Sequence, residues 1–201
     1  MPVSTPTPSI KSNGSRKSAR IIKNVFVTRS LVLANAIILE YVTVGTKFQD
    51  FSDNAFWIES IARRCGNVGT KPFKLADASI KRAIDTFVGF VKNEMVAQTL
   101  RLPNAMQNEI KLQRLLVAPT EVQSFSQNQN KLLSILEDAD RLLVLVEGAI
   151  ARSLVDVAER TRIESGVRRQ LRDLLRCSQR AKEDFINAIS PVKGRPYTRI
   201  R

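Results

Sequence analysis

Apolar residues recur at helical spacing along most of this chain, most densely over residues 131–155, KLLSILEDADRLLVLVEGAIARSLV. Leu132, Leu136, Ala139, Leu143, Val146 and Ile150 step by threes and fours, the period of one helix face. Ile135, Leu142 and Ala149 widen that stripe until little of the helix is left for water, the pattern of a helix at the centre of a bundle. Glu137, Asp138, Asp140 and Arg141 interrupt the run, which falls short of the roughly 18 to 20 apolar residues needed to span a membrane. The stretch therefore predicts the core helix of a helical domain that is not embedded in lipid.

The flanking pattern predicts further helices. Ile80, Ile84, Phe87, Val88, Val91 and Met95 share one face of a helix expected from an Asp77 cap to about residue 100, where Pro103 and Asn104 break it. Another helix is expected over 105–117, followed by a Gln/Asn/Ser-rich loop over 119–130. A last long helix is expected over 156–189, ending at Pro191. Earlier, 54–64 reads as a helix capped by Ser52 or Asp53, with Phe56, Trp57, Ile58 and Ile61 inward. Residues 66–72 (GNVGTKP) read as a turn. The best strand is 23–29 (KNVFVTR), where β-branched Val25 and Val27 alternate with Asn24, Phe26 and Thr28. A Thr28/Ser30 cap then opens the helical run LVLANAIILEY, which ends before Gly45; a short strand over 41–48 is the alternative there. No internal repeat and no sustained heptad is visible. The expected organisation is a basic arm over 1–20, one helical domain over 21–190 and a basic tail over 191–201.

Charge changes the picture. Across 201 residues the net charge is +13 and the isoelectric point is near 10.3, which favours polyanionic partners, nucleic acid above all. The first twenty residues, rich in Ser, Thr and Pro, carry Lys11, Arg16, Lys17 and Arg20, and the first acid of the chain is Glu40. That arm suits tracking along phosphates and equally suits a solubilising tail. There is no histidine, which removes the commonest general acid–base group and metal ligand. Cys65 and Cys177 stand far apart without a CxxC, so neither zinc nor a disulfide framework is indicated and a reducing cytoplasm is expected. No apolar signal core opens the chain. Enzymatic activity, metals and cofactors are not expected.

Two constellations point to DNA. On the last helix Ile163, Val167, Leu171, Leu174, Ala181 and Phe185 lie on one side, with Arg162, Arg169, Arg172, Arg176 and Arg180 opposite. Such a stripe suits phosphate contacts; a solvated face partly paired with Asp173 and Glu183 is the plainer reading. The second is the strand followed by a helix. A lone strand without a partner is a liability, and pairing with the same strand of a second subunit makes the ribbon that β-ribbon proteins lay in the major groove. The order VFVTRSLVLANAIILEY, then a second capped helix, resembles a ribbon-helix-helix module over 21–66. Asn24, Phe26 and Thr28 would then face bases, flanked by Lys23 and Arg29. The Gly66-Asn-Val-Gly69 stretch matches neither GxxxxGK[ST] nor the β-rich setting of a KH loop, and reads as a turn between helices.

Residues 50–64 (DFSDNAFWIESIARR), the LLSILEDADRLLVLVEGAIARSLV run and the arginine-rich helix after it resemble the AcaB-type transcriptional regulators of conjugative plasmids and integrative conjugative elements. The matching acids are Asp50 and Asp53 at the aromatic helix, and Asp138 and Asp140 in the LLxDxD-like stretch. That resemblance implies a homodimeric, sequence-specific activator of conjugative transfer genes that binds double-stranded DNA without enzymatic activity. Phosphate contacts would fall to Arg16, Lys17, Arg20 and Lys23 and to Arg169, Arg172, Arg176 and Arg180. The alternatives are a basic helical nucleoprotein, such as a viral coat or single-strand binder, and a protein–protein adaptor. The expected fold class is mainly α, a helical bundle with a short N-terminal strand in a ribbon-helix-helix-like dimer.

Overall fold

The computed structural model describes residues 27–44, 47–104, 107–108, 117–124 and 126–193. These form a mainly helical fold with a two-stranded antiparallel sheet. In chain order the elements are β1 (Val27–Leu31), α1 (Ala36–Thr43), α2 (Lys47–Cys65), α3 (Asn67–Arg101), β2 (Thr120–Ser124), α4 (Gln127–Ile150) and α5 (Val157–Lys193). The helix expected over 105–117 falls almost wholly outside the described residues.

Helix α4 is the centre, as its wide apolar stripe requires. Leu132, Leu133, Ile135, Leu136, Ala139, Leu142, Leu143, Val146 and Ala149 are all buried. It starts earlier than its apolar run, because Ser126 caps it by accepting from the Gln129 N–H at 3.1 Å. Helices α3 and α5 run antiparallel against each other: Cys177 donates to the Ser79 carbonyl near one end, and Arg162 pairs with Glu94 towards the other. At Gly166 they come so close that an added Cβ would lie 2.4 Å from Phe90 Cζ. The stripes expected on α3 and α5 form this seam, with Ile80, Ile84, Phe87 and Val91 buried against Ile163, Val167, Leu171 and Leu174 in one core.

The first strand has a partner in its own chain, which corrects the expectation of a lone strand. β1 pairs antiparallel with β2, from Val27 opposite Ser124 to Leu31 opposite Thr120. Within the loop expected over 119–130, residues 120–124 form a strand and 127–130 the first turn of α4. The helix expected to open at Thr28/Ser30 begins only at Ala36. Its N-cap is Asn35, whose backbone is extended and whose side chain accepts from the Ile37 N–H, and residues 32–34 are neither strand nor helix. What halts the strand there is Asp140, fully buried in α4: its Oδ1 accepts the backbone N–H groups of Ala34 at 2.8 Å and Asn35 at 2.7 Å. A carboxylate taking two main-chain donors fixes a backbone that sequence propensity leaves undecided.

Other boundaries move for similar reasons. Helix α2 runs unbroken from Lys47, so Ser52 is buried inside it rather than capping it, and among the described residues of 41–48 none is in a strand. The turn expected over 66–72 shrinks to Gly66, whose φ of 57° suits glycine. Pro72 lies within α3 near its start. Asp77, expected as a cap, sits inside α3 and instead accepts from Asn128 Nδ2 at 2.8 Å and from Lys81 at 2.6 Å. Helix α5 continues through Pro191 to Lys193. Between α4 and α5, Ser153 takes a left-handed φ of 56°. Its N–H donates to Ile150 O and that of Leu154 to Ala149 O, the two bonds of a Schellman turn.

Candidate nucleic-acid interface

Amphipathic α5 buries Ile163, Val167, Leu171, Leu174, Ala181, Phe185 and Ile189 and turns its opposite face to water. Arg168, Arg169, Arg172, Arg176 and Arg180 are all exposed on that face. From Arg168 the arginines at 172, 176 and 180 follow at every fourth position. At about 1.5 Å per residue the row rises some 18 Å, comparable to five phosphate steps of about 3.4 Å along one DNA strand. Asp173 is the lone acid between 165 and 182, and its closest approach in the row is 3.8 Å, to Arg176. Exposed pairs of that length contribute little, so the face keeps its charge.

The N-terminal end of α5 behaves differently. Arg162 grips Glu94 of α3 through two bonds of 2.7 Å and is not part of a free stripe, which corrects its grouping with the other arginines. Glu94 leads the groups that hold the Arg162 guanidinium charged. Glu159 accepts from Arg101 at 2.6 Å and from Gln98 at 2.9 Å; those bonds, Arg101 first, hold its carboxyl below the usual range. Arg160 pairs with Glu164 at 2.6 Å. The Arg162 and Glu159 contacts tie α3 to α5, whereas the Arg160–Glu164 pair lies within α5. Lys182, near the far end, donates to Asn54 Oδ1 at 3.1 Å and lies 5.5 Å from the centre of the Trp57 ring, so it braces α2 against α5.

The expected DNA-reading strand divides in the same way. Arg16, Lys17, Arg20, Lys23, Asn24 and Phe26 lie outside the described residues. Thr28 is exposed on β1, on the outward side its alternation assigns to it. Arg29 turns inward: it donates to Asn130 O at 3.1 Å, to Ser134 Oγ at 2.8 Å and to Glu137 Oε2 at 2.5 Å. This arginine latches β1 onto α4 and is spent within the fold. Opposite Thr28 stands Gln123, and opposite Ser30 stands Glu121; all four are exposed, so the outer face of the ribbon is polar. Sequence reasoning missed β2 and with it Gln123 and Glu121. The signal was slight: a single apolar residue, Val122, amid polar ones.

The fold and this surface define a mainly helical protein with a cationic helix face and a small polar ribbon. Set beside protein-family models, curated proteins and solved structures, the chain matches none. Among the described residues no cluster of potential metal ligands occurs, and no helix is long and apolar enough to cross a membrane.

Proposed function

We propose that this protein is a DNA-binding transcriptional regulator that acts on duplex DNA as a homodimer. The observation that carries the reading is the row Arg168, Arg169, Arg172, Arg176 and Arg180 on the exposed face of α5, offset only by Asp173 at 3.8 Å from Arg176. Clustered guanidinium groups release counterions from a phosphate backbone and pair with its oxygens two at a time. The basic arm with Arg16, Lys17, Arg20 and Lys23 adds charge of the same sign. Base contacts fall to Asn24, Phe26 and Thr28, the last on the polar face of the ribbon, where Gln and Thr side chains suit base edges. No third strand lies along the sheet among the described residues, which leaves an edge for a second copy to extend. Activation of conjugative genes rests on the resemblance alone.

The arginine row reads no bases, and that favours a second reading, a nucleoprotein that coats any strand. Fluorescence anisotropy on duplex and single-stranded DNA over a salt series, with the mass in solution, separates the two. For the regulator, duplex binding persists near physiological salt with two chains per site. Changing Arg169, Arg172, Arg176 and Arg180 to Gln lowers the salt slope by about 0.9 for each phosphate that is no longer neutralised. Thr28→Ala, with Asn24→Ala and Phe26→Ala, reduces the preference for one sequence more than the non-specific affinity. Equal binding to single strands with polymerisation along them supports the coat. An unchanged salt slope in the fourfold variant removes α5 from the interface.

A further inference from the structure

Where α1 and the start of α2 meet the middle of α5, a cleft of about 160 Å³ opens to the surface. Its apolar wall is Ile37, Leu171 and Leu175, and its polar rim carries Lys47, Arg168 and Arg172. Glu40 is the one acid in the lining, and it reaches only Lys47, at 3.9 Å. Among the described residues no acid pairs with Arg168 or Arg172. Tyr41 also lines the cleft. It is 4% exposed, and its hydroxyl has no hydrogen-bond partner among the described residues. Burial, with the Asp50 charge adding to it, pushes the phenol well above its ordinary value, so the hydroxyl stays a neutral donor. A buried donor left without an acceptor, beside unpaired cations, is the arrangement a bound anion completes.

The size and the mixed lining narrow the ligand. A cavity of about 150 Å³ admits benzene, so this cleft has room for one ring or a short branched chain. Inorganic phosphate would leave Ile37, Leu171 and Leu175 wetted, and a neutral hydrocarbon would leave the arginines and Tyr41 unanswered. We propose that the cleft binds a small organic monocarboxylate, its carboxylate held by Arg168, Arg172 and the Tyr41 hydroxyl and its apolar body against Ile37, Leu171 and Leu175. Lys47 supplies charge at the mouth. Since Arg168 and Arg172 also belong to the cationic face of α5, occupancy withdraws two arginines from phosphate. That last consequence rests on the DNA reading, while the binding itself does not.

The test uses the full chain with labelled tyrosine rings, observed by nuclear magnetic resonance. Benzoate is the probe; benzamide and inorganic phosphate are its neutral and non-apolar counterparts. Benzoate is expected to shift the ring signals that Tyr41→Phe removes, at least about tenfold more tightly than benzamide, as a charge-assisted contact requires. Arg172→Gln weakens benzoate by about tenfold as well, whereas Arg180→Gln, outside the cleft, leaves it unchanged. The proposal is overturned if the Tyr41 signals do not respond. It is also overturned if benzamide or phosphate binds as well as benzoate, or if Arg180→Gln weakens binding as much as Arg172→Gln. The comparison of the three probes needs only the unaltered protein, so a variant that folds poorly does not spoil it. Anisotropy with duplex DNA then reads the coupling. Benzoate that binds yet leaves DNA affinity unaltered separates the cleft from the nucleic-acid face and leaves the carboxylate site standing.

Discussion

Replacing Asp140 by Ala tests the reasoning behind the whole N-terminal half of the fold. The carboxylate is fully buried, and its Oδ1 accepts two main-chain N–H groups, from Ala34 and Asn35. A hydrogen bond to a charged group contributes about 1.5–3 kcal/mol, and a buried donor left unsatisfied costs about 1–3 kcal/mol. Two such bonds put Asp140→Ala at about 3–5 kcal/mol, a large part of the roughly 5–15 kcal/mol that holds a typical domain folded. Asp140→Asn keeps an acceptor for the two donors and should cost about 1–2 kcal/mol. Glu147→Ala, which removes the partly exposed bond to Asn35 Nδ2 and a 3.8 Å exposed pairing with Arg160, should cost less than about 1 kcal/mol. Urea unfolding followed by circular dichroism gives all three. A loss below about 0.5 kcal/mol for Asp140→Ala, within the range of ordinary surface substitutions, would refute the capping role. So would equal losses for Ala and Asn, since the acceptor would then be irrelevant.

Three further outcomes are expected. Gly166→Ala places a Cβ 2.4 Å from Phe90 Cζ; overpacking of about 1–3 kcal/mol outweighs the roughly 1 kcal/mol gained in helix propensity. The same change in a Phe90→Leu background should then stabilise, and a loss of equal size there would show that the ring is not the obstacle. Ser153→Gly should raise stability by up to about 1 kcal/mol, because only glycine adopts that left-handed turn without strain; a lower thermal midpoint would count against it. Glu159 is bound by Arg101 and Gln98, and its folded-state pKa is depressed. Its stabilisation is therefore present above the unfolded carboxylate value of about 4.3 and is lost as pH falls through the folded one. Glu159→Gln should flatten the acid limb of a stability–pH profile while leaving the alkaline limb alone, and an unaltered acid limb would assign that limb to other carboxylates.

The long helices were legible because their information is local. The stripes of α3, α4 and α5 repeat with the helical period, and nearly every residue placed on them by spacing is buried. Arg169, Arg172, Arg176 and Arg180 of the α5 row were legible for the same reason, since residues three and four apart share a face whatever the rest of the chain does, whereas Arg168 was not placed on it. What could not be read is decided by partners far along the sequence. Arg29 looked like a flank for DNA until Glu137, 108 positions away, claimed it, and Arg162 is claimed by Glu94 across 68. The starts of α1 and α2 were misplaced because Ser and Asp near a helix resemble caps locally. In the fold Asn35 and the distant Asp140 do that work for α1, while Ser52 is core. β2 carries a single buried apolar side chain and becomes a strand only beside β1. The cleft draws its lining from three helices, and no one segment announces it.

The pairing of β1 with β2 also sets an order in time. Residues 27–35 are made early, yet the groups that hold them, β2 and Asp140, lie about a hundred positions downstream; the Ala34–Asp140 bond alone spans 106. At roughly 5–20 residues per second of synthesis, the first strand waits about 5–20 seconds for its partners. Contacts that close so long a loop are also slow to form on the complete chain. Through that interval β1 is an open edge, a template for any other strand it meets. Strand β1 is held only by groups made about a hundred residues after it, and the nascent chain is exposed to mispairing where the mature fold is latched by Arg29 and Asp140.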